Sequence, residues 1–217
     1  MSRPDLLAYP TLKRAIDAVL ASVALIVLAP PLAVVALAVA IALGRPVLFR
    51  QARAGRHGTT FTLLKFRTMR DVDESRGLVT DAQRLTRFGS FLRSTSLDEL
   101  PSLINIVRGD MSVIGPRPLL CHYLDRYTAE QARRHEVRPG LTGLAQVSGR
   151  NELAWAERFR LDVHYVDSVR ATTDVRILLM TIVVVLRRSG ITAEGHVASP
   201  EFAGSRETVA SPLAVTR

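Results

Sequence analysis

Asp98 and Glu99 are adjacent carboxylates in Arg93-Ser94-Thr95-Ser96-Leu97-Asp98-Glu99-Leu100-Pro101. With a reference pKa near 3.9, Asp98 is expected to be ionised at neutral pH, and a helix N-terminus favours that charge. An ionised carboxylate beside basic side chains can attack phosphorus or hold a divalent cation. Glu99 has a structural alternative, because Ser96-x-x-Glu99 has the spacing of a capping box. Arg93, five residues before Asp98, is near enough to neutralise an incoming phosphate. Arg117 lies between two prolines in Gly115-Pro116-Arg117-Pro118. They hold its backbone, so its guanidinium fork gives up less entropy when it clamps a phosphate; a rigid turn with a surface arginine is the alternative. In Arg138-Pro139-Gly140-Leu141-Thr142-Gly143 and on to Gly149-Arg150, three glycines and several donors offer backbone amides to a nucleotide. Lys65 and Arg67 share a strand face at period two, which also suits a solvated edge that blunts strand pairing.

The Walker lysine loop, Gly-x-Gly-x-x-Gly, Gly-x-Ser-x-Gly, His-Glu-x-x-His and Cys-x-x-Cys are all missing from the 217 residues. The nucleotide folds that depend on them are therefore not expected. The single cysteine, Cys121, excludes an intrachain disulfide framework and a Cys-rich zinc site. A formal charge of +9, with 29 basic side chains of which Lys13 and Lys65 are the only lysines, suits phosphorylated ligands or an anionic surface. A GC-rich genome would also enrich arginine. Nucleic acid is not the expected partner, because only 6% of residues are aromatic and no recognition motif is present.

These residues must be held in place by the elements around them. Ala18–Leu43 is an uncharged run of 26 residues, long enough as a helix, about 39 Å, to cross a bilayer. Ala29-Pro30-Pro31 divides it into two arms of 12 residues, each about half the depth of the hydrocarbon core. Both flanks are basic, so the positive-inside rule favours neither end. A helical hairpin entering and leaving by the cytoplasmic face fits these observations; a proline-kinked spanning helix is the alternative. Beyond it, residues 46–50 and 60–66 read as short strands of a β-hairpin around a glycine-containing turn. Helices are predicted over residues 83–93, from Ser96 toward Arg108, over 151–169 (with a structural Arg158–Asp162 pair) and over 174–188. The last is too short to span and suits an interfacial helix. The Gly-, Ser- and Ala-rich stretch from residue 189 reads as a mobile tail.

Six motifs in order make a further resemblance specific. Lys13-Arg14-x-x-Asp17, Lys65-Phe66-Arg67-Thr68-Met69, the Arg93 to Pro101 segment, Gly109-Asp110-Met111-Ser112, Gly115-Pro116-Arg117-Pro118 and Arg138 to Gly143 resemble the bacterial sugar transferases. These are the monotopic polyprenyl-phosphate phosphoglycosyl transferases, and the likeness covers residues 12–188. It implies an α+β, mainly helical fold. A re-entrant membrane anchor (residues 1–45) would precede a small cytosolic catalytic domain (46–188) with a short β-hairpin and interfacial amphipathic helices, then the tail (189–217). Relatives often have Ser-Pro where this chain has Ala29-Pro30-Pro31. The resemblance implies transfer of a sugar 1-phosphate from a UDP-sugar to polyprenyl (undecaprenyl) phosphate at the bacterial inner membrane, with release of UMP. Asp98 is implied as nucleophile, forming a covalent aspartyl phosphosugar, and as neighbour of Mg2+. Glu99 would assist, Arg93 would hold the acceptor phosphate and Arg117 the nucleotide donor. Lys65, Arg67, Thr142, Gly143 and Arg150 complete the expected substrate-binding set. The product would enter exopolysaccharide, O-antigen or glycoprotein glycan assembly. The short N-terminal stretch predicts no spanning helices before the anchor. The residues do not select the sugar, and a homodimer is compatible with them. A membrane-anchored nucleic-acid binder and a non-catalytic glycan-assembly scaffold are the competing classes, and the intact Asp98-Glu99 pair weighs against the scaffold.

Overall fold

The structure, a computed structural model, describes residues 5–149, 153–187 and 201–204. It opens with α1, a 39-residue helix over Asp5–Leu43. The side chains that α1 turns toward the rest of the protein recur at helical spacing: Ala21, Leu25, Leu28, Leu32, Val35, Val39 and Leu43. The outward face is also apolar, with Val23, Ile26, Val27, Val34, Leu37 and Ile41 exposed. A helix apolar all round needs an apolar surrounding on both sides.

The break expected at Ala29-Pro30-Pro31 does not end the helix. Both prolines are exposed on the outward face. Each lacks the N–H that would bond the carbonyl four residues back, and each disfavours helix locally. The inward stripe nevertheless passes from Leu28 to Leu32 without changing face, so packing against the body of the protein carries the helix across.

Strands β1 (Leu48–Ala54) and β2 (Thr60–Phe66) form an antiparallel hairpin, paired from Leu48↔Phe66 to Ala54↔Thr60. β1 runs four residues past its expected end, which brings Arg53 into the sheet. The helix expected over 83–93 is two pieces, α2 (Asp81–Arg84) and α3 (Arg87–Ser94). Thr86 starts the second by accepting a hydrogen bond from the Gly89 amide at 2.9 Å. A 3-10 turn over Leu97–Ser102, containing Pro101, leads into α4 (Leu103–Arg108). Strands β3 (Ser112–Ile114) and β4 (Gly140–Thr142) form a parallel pair that the sequence did not suggest; three residues each are too few for a period-two pattern. The chain continues through α5 (Ala129–Ala132), α6 (Leu144–Ser148), α7 (Trp155–Asp167) and α8 (Ala171–Arg187). Among the described residues the result is mainly helical with two small sheets.

Lys13-Arg14-x-x-Asp17 pins α1 to three other elements. Arg14 donates to the carbonyls of Ile106 and Val107 at the C-terminus of α4, at 2.7 and 2.8 Å. The Ser112 hydroxyl of β3 donates to Asp17 at 2.5 Å, and Lys13 pairs with Asp174 of α8 at 2.8 Å. Asn105, fully buried on α4, accepts from the Leu64 amide and donates to the Thr62 carbonyl and to Asp110, at 3.1, 2.8 and 3.1 Å. Asp110 and Ser112 of the Gly109-Asp110-Met111-Ser112 motif are thus both spent on joining α1, α4 and the hairpin.

Within the stretch expected to be mobile, residues 201–204 are seated on the body of the protein. Phe202 is buried among Tyr123, Tyr127, Trp155 and Phe159, and Glu201 pairs with Arg126 at 2.9 Å. An aromatic side chain in a tail of low-complexity composition is the feature that ties this piece down.

Candidate functional site

The 3-10 turn Leu97–Ser102 carries both carboxylates. Ser96, just before it, adopts φ 57° and ψ 15°, a left-handed conformation uncommon outside glycine, and its side chain caps nothing. The capping role open to Glu99 is therefore not the one it takes. Instead Lys65 Nζ, from β2, and Arg117 Nη2, from the loop after β3, both donate to Glu99 Oε1, at 2.6 and 2.9 Å. Burial alone would raise the pKa of Glu99, but Arg117 and Lys65 outweigh it and hold this carboxyl well below the usual range.

Asp98 is 8% exposed. Burial, then the charge of Glu99, pushes its pKa up to about 6, against the opposing pull of Lys65, Arg93 and Arg117. It is still mostly ionised at pH 7, yet it is more basic than an ordinary aspartate and so better suited to covalent attack. Two neighbouring carboxyls with pKa values pushed apart is a pattern associated with division of chemical labour. Arg93, in the last turn of α3, donates from Nε to the Thr68 hydroxyl at 3.1 Å. Burial lowers its pKa, and the Asp98 charge is the main opposing influence.

Not every expected residue reaches this centre. Arg67 donates to the carbonyls of Met69 and Pro46, both at 3.3 Å, and to Asp71 at 3.1 Å, so it braces the segment after β2. Thr142 meets Thr181 of α8 hydroxyl to hydroxyl at 2.8 Å. Gly143 lies where a Cβ would stand 2.1 Å from the Gly115 carbonyl oxygen, so its smallness serves the close approach of two backbone loops. Arg150 lies outside the described residues.

Two arginines escaped the sequence reading. Arg53 lines one small pocket together with Leu63, Lys65, Glu99, Arg117 and Leu141. The signal was available: β1 and β2 pair Phe49 with Lys65 and Arg53 with Phe61, so a longer β1 puts Arg53 on the Lys65 face. Arg134, fully buried, donates to Asp162 Oδ2 from Nε and Nη2 at 3.0 and 2.8 Å, and from Nη2 to the Arg117 carbonyl at 2.7 Å. Asp162, expected beside Arg158, thus anchors the backbone of Arg117 through Arg134. Arg158 lies over the Trp155 ring at 4.3 Å.

Among the described residues, no three His, Cys, Asp or Glu side chains cluster as a metal cage. Glu99 is occupied by two cations, leaving Asp98 as the dyad carboxylate suited to a divalent ion. Magnesium is commonly held by one or two carboxylates plus substrate phosphates and water. This donor set fits such a shared ion.

The profile of the family described as bacterial sugar transferase matches residues 8–188. An uncharacterized sugar transferase, EpsL of Bacillus subtilis, is 51% identical over 164 residues, covering 75% of this chain and 81% of its own length. The UDP-glucose:undecaprenyl-phosphate glucose-1-phosphate transferase of Caulobacter vibrioides is 42% identical over 183 residues, 78% of this chain and 68% of that protein. The undecaprenyl-phosphate galactose phosphotransferase of Salmonella typhimurium is 36% identical over 197 residues, 82% of this chain. Several relatives are much longer, and this chain spans 41% of the Salmonella protein.

Proposed function

Because this chain belongs to the bacterial sugar transferase family, we propose that it moves a sugar 1-phosphate from a UDP-sugar to polyprenyl phosphate, releasing UMP. The observation that carries this reading is the buried, raised-pKa Asp98 between Arg93 and the Glu99–Lys65–Arg117 group. In the first step an Asp98 carboxylate oxygen attacks the phosphorus that bears the sugar. The P–O bond to the nucleoside monophosphate breaks, and its electron pair leaves with UMP. In the second, an oxygen of the polyprenyl phosphate attacks the same phosphorus and returns the electron pair to Asp98. Glu99 holds Lys65 and Arg117 in place and, by its charge, keeps Asp98 basic. Arg93 faces the acceptor phosphate and Arg117 the donor. Magnesium, held by Asp98 and the substrate phosphates, would neutralise diphosphate charge. Relatives are named for glucose and for galactose, and the motifs discussed do not select between these sugars.

The long apolar α1 supports membrane association, and its contacts support a monotopic arrangement. Near one end Asp17 meets Ser112; near the other Val39 and Leu43 pack with Phe66 and Leu92. Both ends are held by one globular body, so a helix crossing to the far side does not satisfy them. In this reading the outward apolar face meets lipid along its length and both ends stay on one side of the membrane.

Asp98→Asn is expected to abolish both turnover of UDP-sugar to UMP and covalent labelling of the protein by a 32P-labelled donor. Substantial labelling of the variant would remove Asp98 as nucleophile.

A further inference from the structure

We propose that Arg53 is a further substrate-binding residue, holding the phosphate of the nucleoside monophosphate half of the donor and of UMP as it leaves. The assignment rests on the transferase reading above. Arg53 donates from Nη1 to the Pro118 carbonyl at 3.3 Å and from Nη2 to the Gln51 side-chain oxygen at 2.5 Å. Its Nε is buried and has no hydrogen-bond partner among the described residues. A buried donor without an acceptor is costly, and an arginine serving only as a brace between β1 and the Pro118 turn has no use for this one.

The charges around the pocket point to an anion. Among the described residues, Arg53, Lys65 and Arg117 line it and Glu99 is its one carboxylate, so three cations face a single negative charge. Burial first, then repulsion from Arg117, pulls the Arg53 pKa down to about 10. An added phosphate relieves both the excess charge and the orphan N–H. A phosphate monoester carries roughly −1.5 to −2 charges at neutral pH, about the excess present.

Two phosphates visit such an enzyme, and position separates them. Arg93 lies in the last turn of α3, bonded to Thr68, with Asp98 the first carboxylate to act on it. Arg53 feels Arg117, Tyr123, Cys121 and Glu99. The pocket beside Pro118 is lined by Arg53, Lys65, Glu99 and Arg117, and its lining includes neither Arg93 nor Asp98. The transferred phosphorus belongs at Asp98, the lipid phosphate at Arg93, and the departing nucleotide phosphate at Arg53.

Equilibrium binding on the full chain in lipid nanodiscs tests this, with UMP and dodecyl phosphate as separate probes. Arg53→Met should weaken UMP binding about tenfold, as expected for loss of a charge-assisted bond, and leave dodecyl phosphate unchanged. Arg53→Lys should recover little, because an ammonium does not reproduce the guanidinium fork. Arg93→Met should show the opposite pattern. Unchanged UMP affinity in both Arg53 variants would overturn the proposal. So would loss of dodecyl phosphate alone, or equal weakening of both ligands with a lowered melting temperature, the signature of a brace. Failure of the transferase reading has a different mark: wild-type protein that binds UMP normally yet is never labelled by a UDP-sugar.

Discussion

Ionising Asp98 costs the folded protein stability. Its folded pKa, about 6, lies above the value near 3.8 expected of an unfolded aspartate, so between these values the native state binds more protons. The favourable contribution is complete below about pH 3.8 and is lost as pH rises through 6. Asp98→Asn should therefore stabilise the fold at pH 7.5, by about 3 kcal/mol, with the margin shrinking as pH falls from 6 toward 4. Denaturant unfolding at several pH values measures this; a pH-independent margin would contradict the burial argument. The rate of covalent labelling should fall on the acid side with an apparent pKa near 6. Glu99→Gln removes a charge that raises Asp98, so that limb should move to lower pH while labelling slows, because Lys65 and Arg117 lose their shared partner. Single-turnover labelling across pH would show it, and an unmoved limb would dissociate the two carboxyls.

At the level of elements, the site depends on a backbone crossing that no single segment advertises. β3 and β4 pair where Gly115, Gly140 and Gly143 meet, and a Cβ on Gly140 would stand 2.1 Å from the Gly115 amide nitrogen. That contact is backbone to backbone, with no flexible side chain to yield. Gly140→Ala should destabilise the protein by about 2–4 kcal/mol and weaken donor use, because the displaced loop carries Arg117. A variant that melts like wild type would show that the crossing relaxes freely. In the sequence Gly140 and Gly143 suit the approach of backbone amides to a nucleotide; in the fold their smallness also admits Gly115. The hairpin was more legible, because a glycine-containing turn between two short β-prone runs marks it, and Thr60–Phe66 is the observed strand.

At the scale of the molecule, two apolar faces remain uncovered among the described residues. α1 shows Ile26, Val27 and Ile41 outward, and α8 shows Val175, Leu179 and Leu186. With a formal charge of +9, such a body suits an anionic lipid surface. In a Cys121→Ser background, single cysteines placed at Thr11 and Arg50 should both react with a membrane-impermeant thiol reagent from the same side of sealed inverted vesicles. Reaction from opposite sides would establish a spanning helix and refute the re-entrant reading.

The chain by itself determined the chemistry-bearing residues in outline: an acid pair, arginines before and after it, and an apolar anchor, each written in local spacing that periodicity and motif order can read. Only the tertiary structure decided how they are used. It took Glu99 from a capping role to Lys65 and Arg117, turned Arg67 and Gly143 to bracing and packing, and brought Arg53 and Arg134 to the centre. It also carried α1 across Pro30 and Pro31, where the prolines on their own would stop a helix. The physical reason is common to all of these. Burial, long-range ion pairing and packing of one face join residues far apart in the chain, and energies of that kind outweigh the local preferences that sequence spacing records.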